Sequence, residues 1–152
     1  MARAKYQALV IPYYIENNTV KYCIFYRSDM NIWQFIAGGG EEEDESLLVT
    51  AKREAYEEAK IDRDRKYIAL DTQTCIPTSC FKDARKIWGI DCLVIPEYTF
   101  AVELEKTNLT LSHEHLKYEW VDYKTAIEKL KYDSNKTALW ELDSKIRLCL
   151  IK

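Results

Sequence analysis

Apolar and polar positions divide the chain into strands first and helices later. Residues 6–15 (YQALVIPYYI) and 20–27 (VKYCIFYR) are rich in Tyr, Val, Ile and Phe. The polar tetrad Glu16-Asn17-Asn18-Thr19 around their junction reads as a turn, so a β-hairpin is predicted. Residues 33–40, WQFIAGGG, predict a short strand ending in glycines, where the backbone can turn tightly or approach a ligand closely. From about Ser46 to Lys60 the period changes. Leu48, Ala51, Ala55 and Ala59 fall three or four apart and form one narrow helical stripe, whose alanines let the helix lie close against a sheet. Three further runs, YIALDTQTCI, CLVIPEYTFAVEL and HLKYEWV, have strand character, and helical patterns return near 123–131 and 135–150. No repeat or linker interrupts them. The expectation is one α/β domain over residues 1–152, a sandwich around a mixed sheet.

Composition agrees with one packed domain: 152 residues, 47% hydrophobic and 31% charged, suit a globular chain with a proper core. The N-terminal MARAKYQALVIPYY places basic residues before an apolar run, but that run contains Pro12 and lacks a small-residue cleavage pattern. It reads as a strand, and nothing is long enough to span a membrane. The five cysteines are odd in number and form no C-x-x-C pair. Reduced thiols in a cytoplasmic protein are expected, without a zinc ribbon. With a net charge of −3 and no basic run, the chain is not built to track nucleic acid in bulk. A small phosphorylated molecule held through a cation is compatible with it.

The charge is unevenly spread. Gly38 to Ile61 holds eight acids and three bases, a local excess larger than that of the whole chain. Five acids run unbroken from Glu41 to Glu45, and Glu54, Glu57 and Glu58 stand at i, i+3 and i+4 of the expected helix, on one face. Two unit charges about 4 Å apart repel by roughly 1 kcal/mol in water and about 4 kcal/mol near a protein surface. One outcome is a solvated face with an Arg53–Glu57 pair, worth only ~0.3–0.5 kcal/mol. The other is a divalent cation, magnesium or manganese by the hardness of the oxygen ligands. The preceding glycines would free backbone to approach metal or phosphate.

Gly39, five residues, Glu45, seven residues and then Arg53-Glu54-Ala55-Tyr56-Glu57-Glu58-Ala59-Lys60-Ile61 resemble the Nudix box, GX5EX7REUXEEXGU, across residues 39–61. The one departure is Lys60, where the family has glycine. The resemblance implies a loop–helix–loop element on an α/β/α sandwich around a mixed β-sheet. It also implies magnesium-dependent hydrolysis, with manganese possible, of a nucleoside diphosphate linked to a group X. Glu54 and Glu58 would be metal ligands and Glu57 a further ligand or base. Arg53 would orient the glutamates, and Glu45 would support the loop by pairing with Arg53. Lys60 puts the helix terminus in question, not the chemistry.

The WQ before the box, with VIPEYTFAVEL, HEHLKYEWVD and SNKTALWEL, resembles the dihydroneopterin triphosphate pyrophosphohydrolase subgroup. That implies a fourth metal ligand, Glu114, in the EHL segment; the alternative is a solvated glutamate before a strand. His113 and His115 lack a third soft ligand and are assigned no zinc. Trp33, Trp88, Tyr98 and Trp120 could stack on a pterin or purine, or belong to the core. Arg27 could hold a phosphate or make a surface ion pair. The expected substrate-binding set is Arg27, Trp33, Gly39 and Trp120. The expected activity is cleavage of a nucleoside or pterin triphosphate to monophosphate and pyrophosphate. Its rivals are hydrolysis of dinucleoside polyphosphates or oxidised nucleotides, and nucleotide sensing without turnover. A dimer is compatible with the sequence but not specified by it.

Overall fold

A computed structural model describes residues 3–105, 108–112 and 117–151. Eleven elements follow in chain order. They are β1 (Arg3–Glu16), β2 (Thr19–Arg27), β3 (Ile32–Gln34), β4 (Ile36–Glu41), α1 (Leu47–Ala59), β5 (Tyr67–Pro77), α2 (Ala84–Trp88), β6 (Val94–Glu103), β7 (Lys117–Val121), α3 (Tyr123–Lys129) and α4 (Asp133–Arg147). A single 3-10 turn spans Thr78–Cys80.

Among the described residues the strands form one seven-stranded sheet in the order β3-β2-β1-β6-β5, with β4 also on β1 and β7 also on β2. Only β1 and β6 run parallel; the other pairs are antiparallel. The long β1 divides its flank. Val10 back to Arg3 pairs with β4, whereas Tyr13 to Glu16 pairs with β2, and β6 lies along the other side. The predicted hairpin is present, and Asn17 and Asn18 both take positive φ, as a tight two-residue connection requires.

Alternation along β1 assigns its side chains to two cores. Leu9, Ile11 and Tyr13 meet Ala126 of α3, Leu130 just after it, and Ala138, Leu139 and Leu142 of α4. Ala8 and Val10, on the other face, meet Ala51, Ala55 and Ala59 of α1. The result is the expected α/β/α sandwich. Two polar clasps fasten α4 to the sheet. Buried Tyr22 donates to Asp143 (2.7 Å), which also takes the Arg147 Nε–H (2.9 Å). The irregularity of β5 between Ala69 and Gln73 frees the N–H groups of Asp71 and Thr72, and Glu141 accepts both (2.6 and 2.7 Å).

Three sequence expectations change in detail. The chain does not turn at its glycines: β4 runs through Gly38, Gly39 and Gly40 to Glu41, and the turn follows, closed by Asp44 N–H to Glu41 O (3.0 Å). The buried stripe of α1 is rotated from the expected one. Leu48 is exposed, while Leu47 packs inward and Glu54 and Glu58 are buried beside the alanines. Finally, the last helix ends at Arg147 instead of near 150.

Helix α1 starts at Ser46, whose hydroxyl accepts the Val49 N–H (3.2 Å). It stops at Lys60 in left-handed geometry, φ 57° and ψ 33°, with the Lys60 N–H bonded to Tyr56 O (2.9 Å) and the Ile61 N–H to Ala55 O (3.3 Å). The backbone therefore keeps the conformation that glycine favours, although a lysine occupies it. Replacing Lys60 with Gly is expected to stabilise the protein by up to about 1 kcal/mol. Urea denaturation checks this. A loss of stability would mean that the Lys60 ammonium over the Tyr56 ring, 4.8 Å from its centroid, outweighs the backbone cost.

Candidate active site

The three alanines of α1 have no exposed surface, and such small side chains bring the helix axis close to the sheet. Any glutamate flanking them is drawn into the same contact. Glu54 is 8% exposed and Glu58 is 6% exposed, whereas the Glu57 side chain is 54% exposed at the rim. The carboxyl of Glu54 occupies the space a side chain at position 38 would need. A Cβ on Gly38 would fall 1.9 Å from Glu54 Cδ. Gly38 is thus required for close approach, and what approaches is the glutamate.

Arg53 holds this arrangement together. Its guanidinium donates to Glu54 Oε1 (2.8 Å), Asp44 Oδ2 (2.9 Å) and the carbonyl of Gly39 (3.0 Å), with Glu57 3.5 Å away. Arg53 is bonded to Glu54, and its loop partner is Asp44, not Glu45. Asp44 lies inside the turn after β4, where its Oδ2 also accepts the Glu41 N–H (3.0 Å) and the Thr50 hydroxyl (2.5 Å). Glu45, next to the N-cap, is exposed. Counting residues selects Glu45; the geometry of the turn selects its neighbour.

The electrostatics follow from that sharing. Burial by itself would raise the Asp44 pKa, but the bonds from Arg53, Thr50 and Glu41 outweigh it and hold the carboxyl below its usual range. Glu54 goes the other way. Burial pushes it up to about 7; Arg53 opposes the shift, and the charges of Glu57 and Glu58 add to it. Arg53 is shared between Asp44 and Glu54, and at Glu54 burial outweighs it.

Glu58 anchors the far end of the site. Its backbone carbonyl accepts the Ser112 N–H (2.9 Å), and its Oε2 accepts the Ser112 hydroxyl (3.2 Å). Glu114, His113 and His115 lie outside the described residues. Among the described residues no three acids, histidines or cysteines are gathered tightly enough to form a ready metal cage. The donors nevertheless fit a hard divalent cation in kind. Two buried carboxylates one turn apart, one of them pushed toward neutrality chiefly by burial, are what a cation would draw into the charged form.

The expected substrate contacts scatter. Gly39 lies in the site and accepts Arg53 through its carbonyl. Arg27 is paired with Asp29 (2.7 Å) at the end of β2. Trp33 packs on the face away from α1, tilted on Tyr26 with Lys117 and Lys129 over its ring. Trp120 packs on the α1 face, edge-on to Tyr14. Trp88 is buried and donates its indole N–H to the Arg3 carbonyl (3.1 Å), and Tyr98 meets Tyr6 edge-on. Among the described residues, these contacts of Arg27, Trp33 and Trp120 lie away from the box glutamates. Sequence reasoning missed Asp44, which is hidden inside the acidic run.

Comparisons with known proteins agree with this geometry. The family model described as NUDIX domain matches residues 16–140. A dihydroneopterin triphosphate diphosphatase of Haemophilus influenzae is 28% identical over 134 residues, covering 88% of this chain and 84% of that protein. The enzyme of the same name from Escherichia coli K12 is 30% identical over 114 residues, covering 74% and 75%. The crystal structure of a protein described as a NUDIX hydrolase from Listeria monocytogenes superposes with a TM-score of 0.85 at 40% identity, covering 96% of this chain and 97% of that one.

Two outcomes are expected. With metal stripped by chelator, Glu54 binds a proton more tightly folded than unfolded, so stability should fall as pH rises from about 4.5 to about 7. A pH series of chemical denaturations should show this slope, a few kcal/mol at most, and Glu54→Gln should flatten it. Separately, Asp44→Asn should destabilise the protein by roughly 2 kcal/mol, because Arg53 loses a buried charged partner, while Glu45→Gln should change stability by less than about 0.5 kcal/mol.

Proposed function

This chain belongs to the Nudix family and is a hydrolase of phosphoanhydride bonds, and on that premise we propose that it cuts a pterin or nucleoside triphosphate to the monophosphate and pyrophosphate. The favoured substrate is dihydroneopterin triphosphate, and the cation is magnesium or manganese. The observation that carries the catalytic assignment is the buried Glu54–Glu58 pair on α1, held against the glycine strand by Arg53. The choice of substrate rests on the two relatives named dihydroneopterin triphosphate diphosphatase.

Glu54, Glu57 and Glu58 would hold the cation, with Glu114 as the ligand arriving from another part of the chain. Ser112, the last described residue before Glu114, is bonded to Glu58, which supports that assignment. When bound, such a cation supplies positive charge to a phosphoryl oxygen and acidifies water. The protein's own groups do the rest. Arg53 occupies Glu54 Oε1 and fixes the rotamer, which leaves the other oxygen directed at Gly38. Burial holds Glu54 near neutrality before the cation arrives, and the cation would draw it into the charged form. Glu57 stands at the exposed rim of the site. Positioning and fixed charge dominate such phosphoryl chemistry.

The test is a panel of dihydroneopterin triphosphate, nucleoside triphosphates and dinucleoside polyphosphates with magnesium, reading phosphate and pyrophosphate separately. Dihydroneopterin triphosphate should give pyrophosphate with a kcat/KM at least about tenfold above the nucleotides, a difference of about 1.4 kcal/mol in transition-state binding. A preference for dinucleoside polyphosphates would replace this substrate with another. Binding without turnover across the panel would make the domain a sensor. Glu58→Gln, which keeps shape and removes charge, should lower turnover by about a hundredfold or more while the protein still folds. Retention of activity within about threefold of wild type would remove Glu58 from the metal set.

A further inference from the structure

We propose that Arg3 is a substrate-binding residue of this site, its guanidinium stacked beside Phe81 and Trp88 over Gly39 to grip the phosphoryl chain of the substrate. Three observations place it. A Cβ on Gly39 would fall 2.5 Å from Arg3 Cζ, so the guanidinium lies directly over the box glycine whose carbonyl Arg53 holds. Arg3 Cζ stands 4.7 Å from the Phe81 ring centroid and 5.5 Å from that of Trp88. The two rings meet edge-to-face at 5.8 Å, and Trp88 donates its indole N–H to the Arg3 carbonyl (3.1 Å), so the aromatic wall is itself fixed to this residue.

A further observation is what the guanidinium lacks. Its Nε is buried with no hydrogen-bond partner, and among the described residues no carboxylate pairs with it. A buried cationic donor without an acceptor costs more than any surface arginine, and the aromatic faces return only part of that cost. Burial pulls the Arg3 pKa down while Glu54 pulls it up, which places Arg3 within the electrostatic field of the box. It remains charged at any physiological pH. An oxyanion meets every requirement here: it accepts forked N–H donors, it complements a charge the protein leaves unpaired, and it reaches the place only when substrate is bound. Arginine suits the position better than lysine, because a planar fork can stack on rings and still donate from its edge.

A structural role predicts something else. If Arg3 merely ties the start of β1 to α2, its loss should cost stability and leave anion affinity alone. The inference rests on the proposed pyrophosphohydrolase activity, so the experiment includes a reading independent of turnover. Pyrophosphate in magnesium buffer is titrated calorimetrically against wild type, Arg3→Lys and Arg3→Gln, and kcat and KM are measured with the best substrate of the panel. Arg3→Gln should weaken pyrophosphate binding and raise KM by about 10–100-fold with kcat little changed, as for lost charge-assisted hydrogen bonds, and Arg3→Lys should fall between. Pyrophosphate affinity within about twofold of wild type in Arg3→Gln would overturn the proposal, since one lost charged hydrogen bond is expected to cost about tenfold or more. If no panel compound is hydrolysed, the activity assignment fails, yet the titration still decides the role of Arg3. If Arg3→Gln does not fold, wild-type protein is labelled with phenylglyoxal with and without pyrophosphate and mapped by mass spectrometry. Protection of Arg3 supports the proposal and equal labelling overturns it.

Discussion

The close approach of α1 to the glycine strand is the constraint on which the rest of the site depends. Ala51, Ala55 and Ala59 remove side-chain bulk from the helix, and Gly38 removes it from β4. Only then can a carboxylate be buried between them. That burial would be prohibitive without Arg53, which binds the helix, the strand carbonyl and the turn at once. Packing and electrostatics are therefore not separable here. Alanines create the seam, glycine makes room in it, and one guanidinium makes the resulting charge tolerable.

The helix and hairpin were legible because local chemistry agrees with the global fold. ENNT yields two consecutive positive-φ asparagines, and Ser46 and Lys60 bound α1 at the residues expected. The three glutamates at i, i+3 and i+4 do share a face, but the sequence could not say how deep each would lie. Depth depends on where the helix axis sits over the sheet. Rotating the stripe from Leu48 to Leu47 exposes Leu48 and buries Glu54 and Glu58.

What resisted reading is what depends on turns and on contacts distant in sequence. A run of five acids offers several partners for Arg53, and only the turn closed by Asp44 N–H to Glu41 O decides among them. Aromatic residues were ambiguous for a similar reason. Trp33 and Trp120 lie in strands that each have two faces, and strand alternation cannot say which face holds the ligand until the sheet order is known. Arg3 meets Phe81 and Trp88 across more than half the length of the chain, where no local pattern could announce it.

The central place of β1 bears on how the chain comes together. The strand is made first, yet its parallel partner β6 begins at Val94, more than half the chain later. As the polypeptide leaves the ribosome, β2 and then β4 can zip onto one side of β1 by short connections, while its other side stays an open edge. Unpaired edges of hydrophobic strands template aggregation, and closing so long a loop is slow. A nascent chain paused before Val94 would thus present Leu9 to Tyr13 along an uncovered border. The same strand that organises the finished sheet is, until β6 emerges, the segment most in need of protection during synthesis.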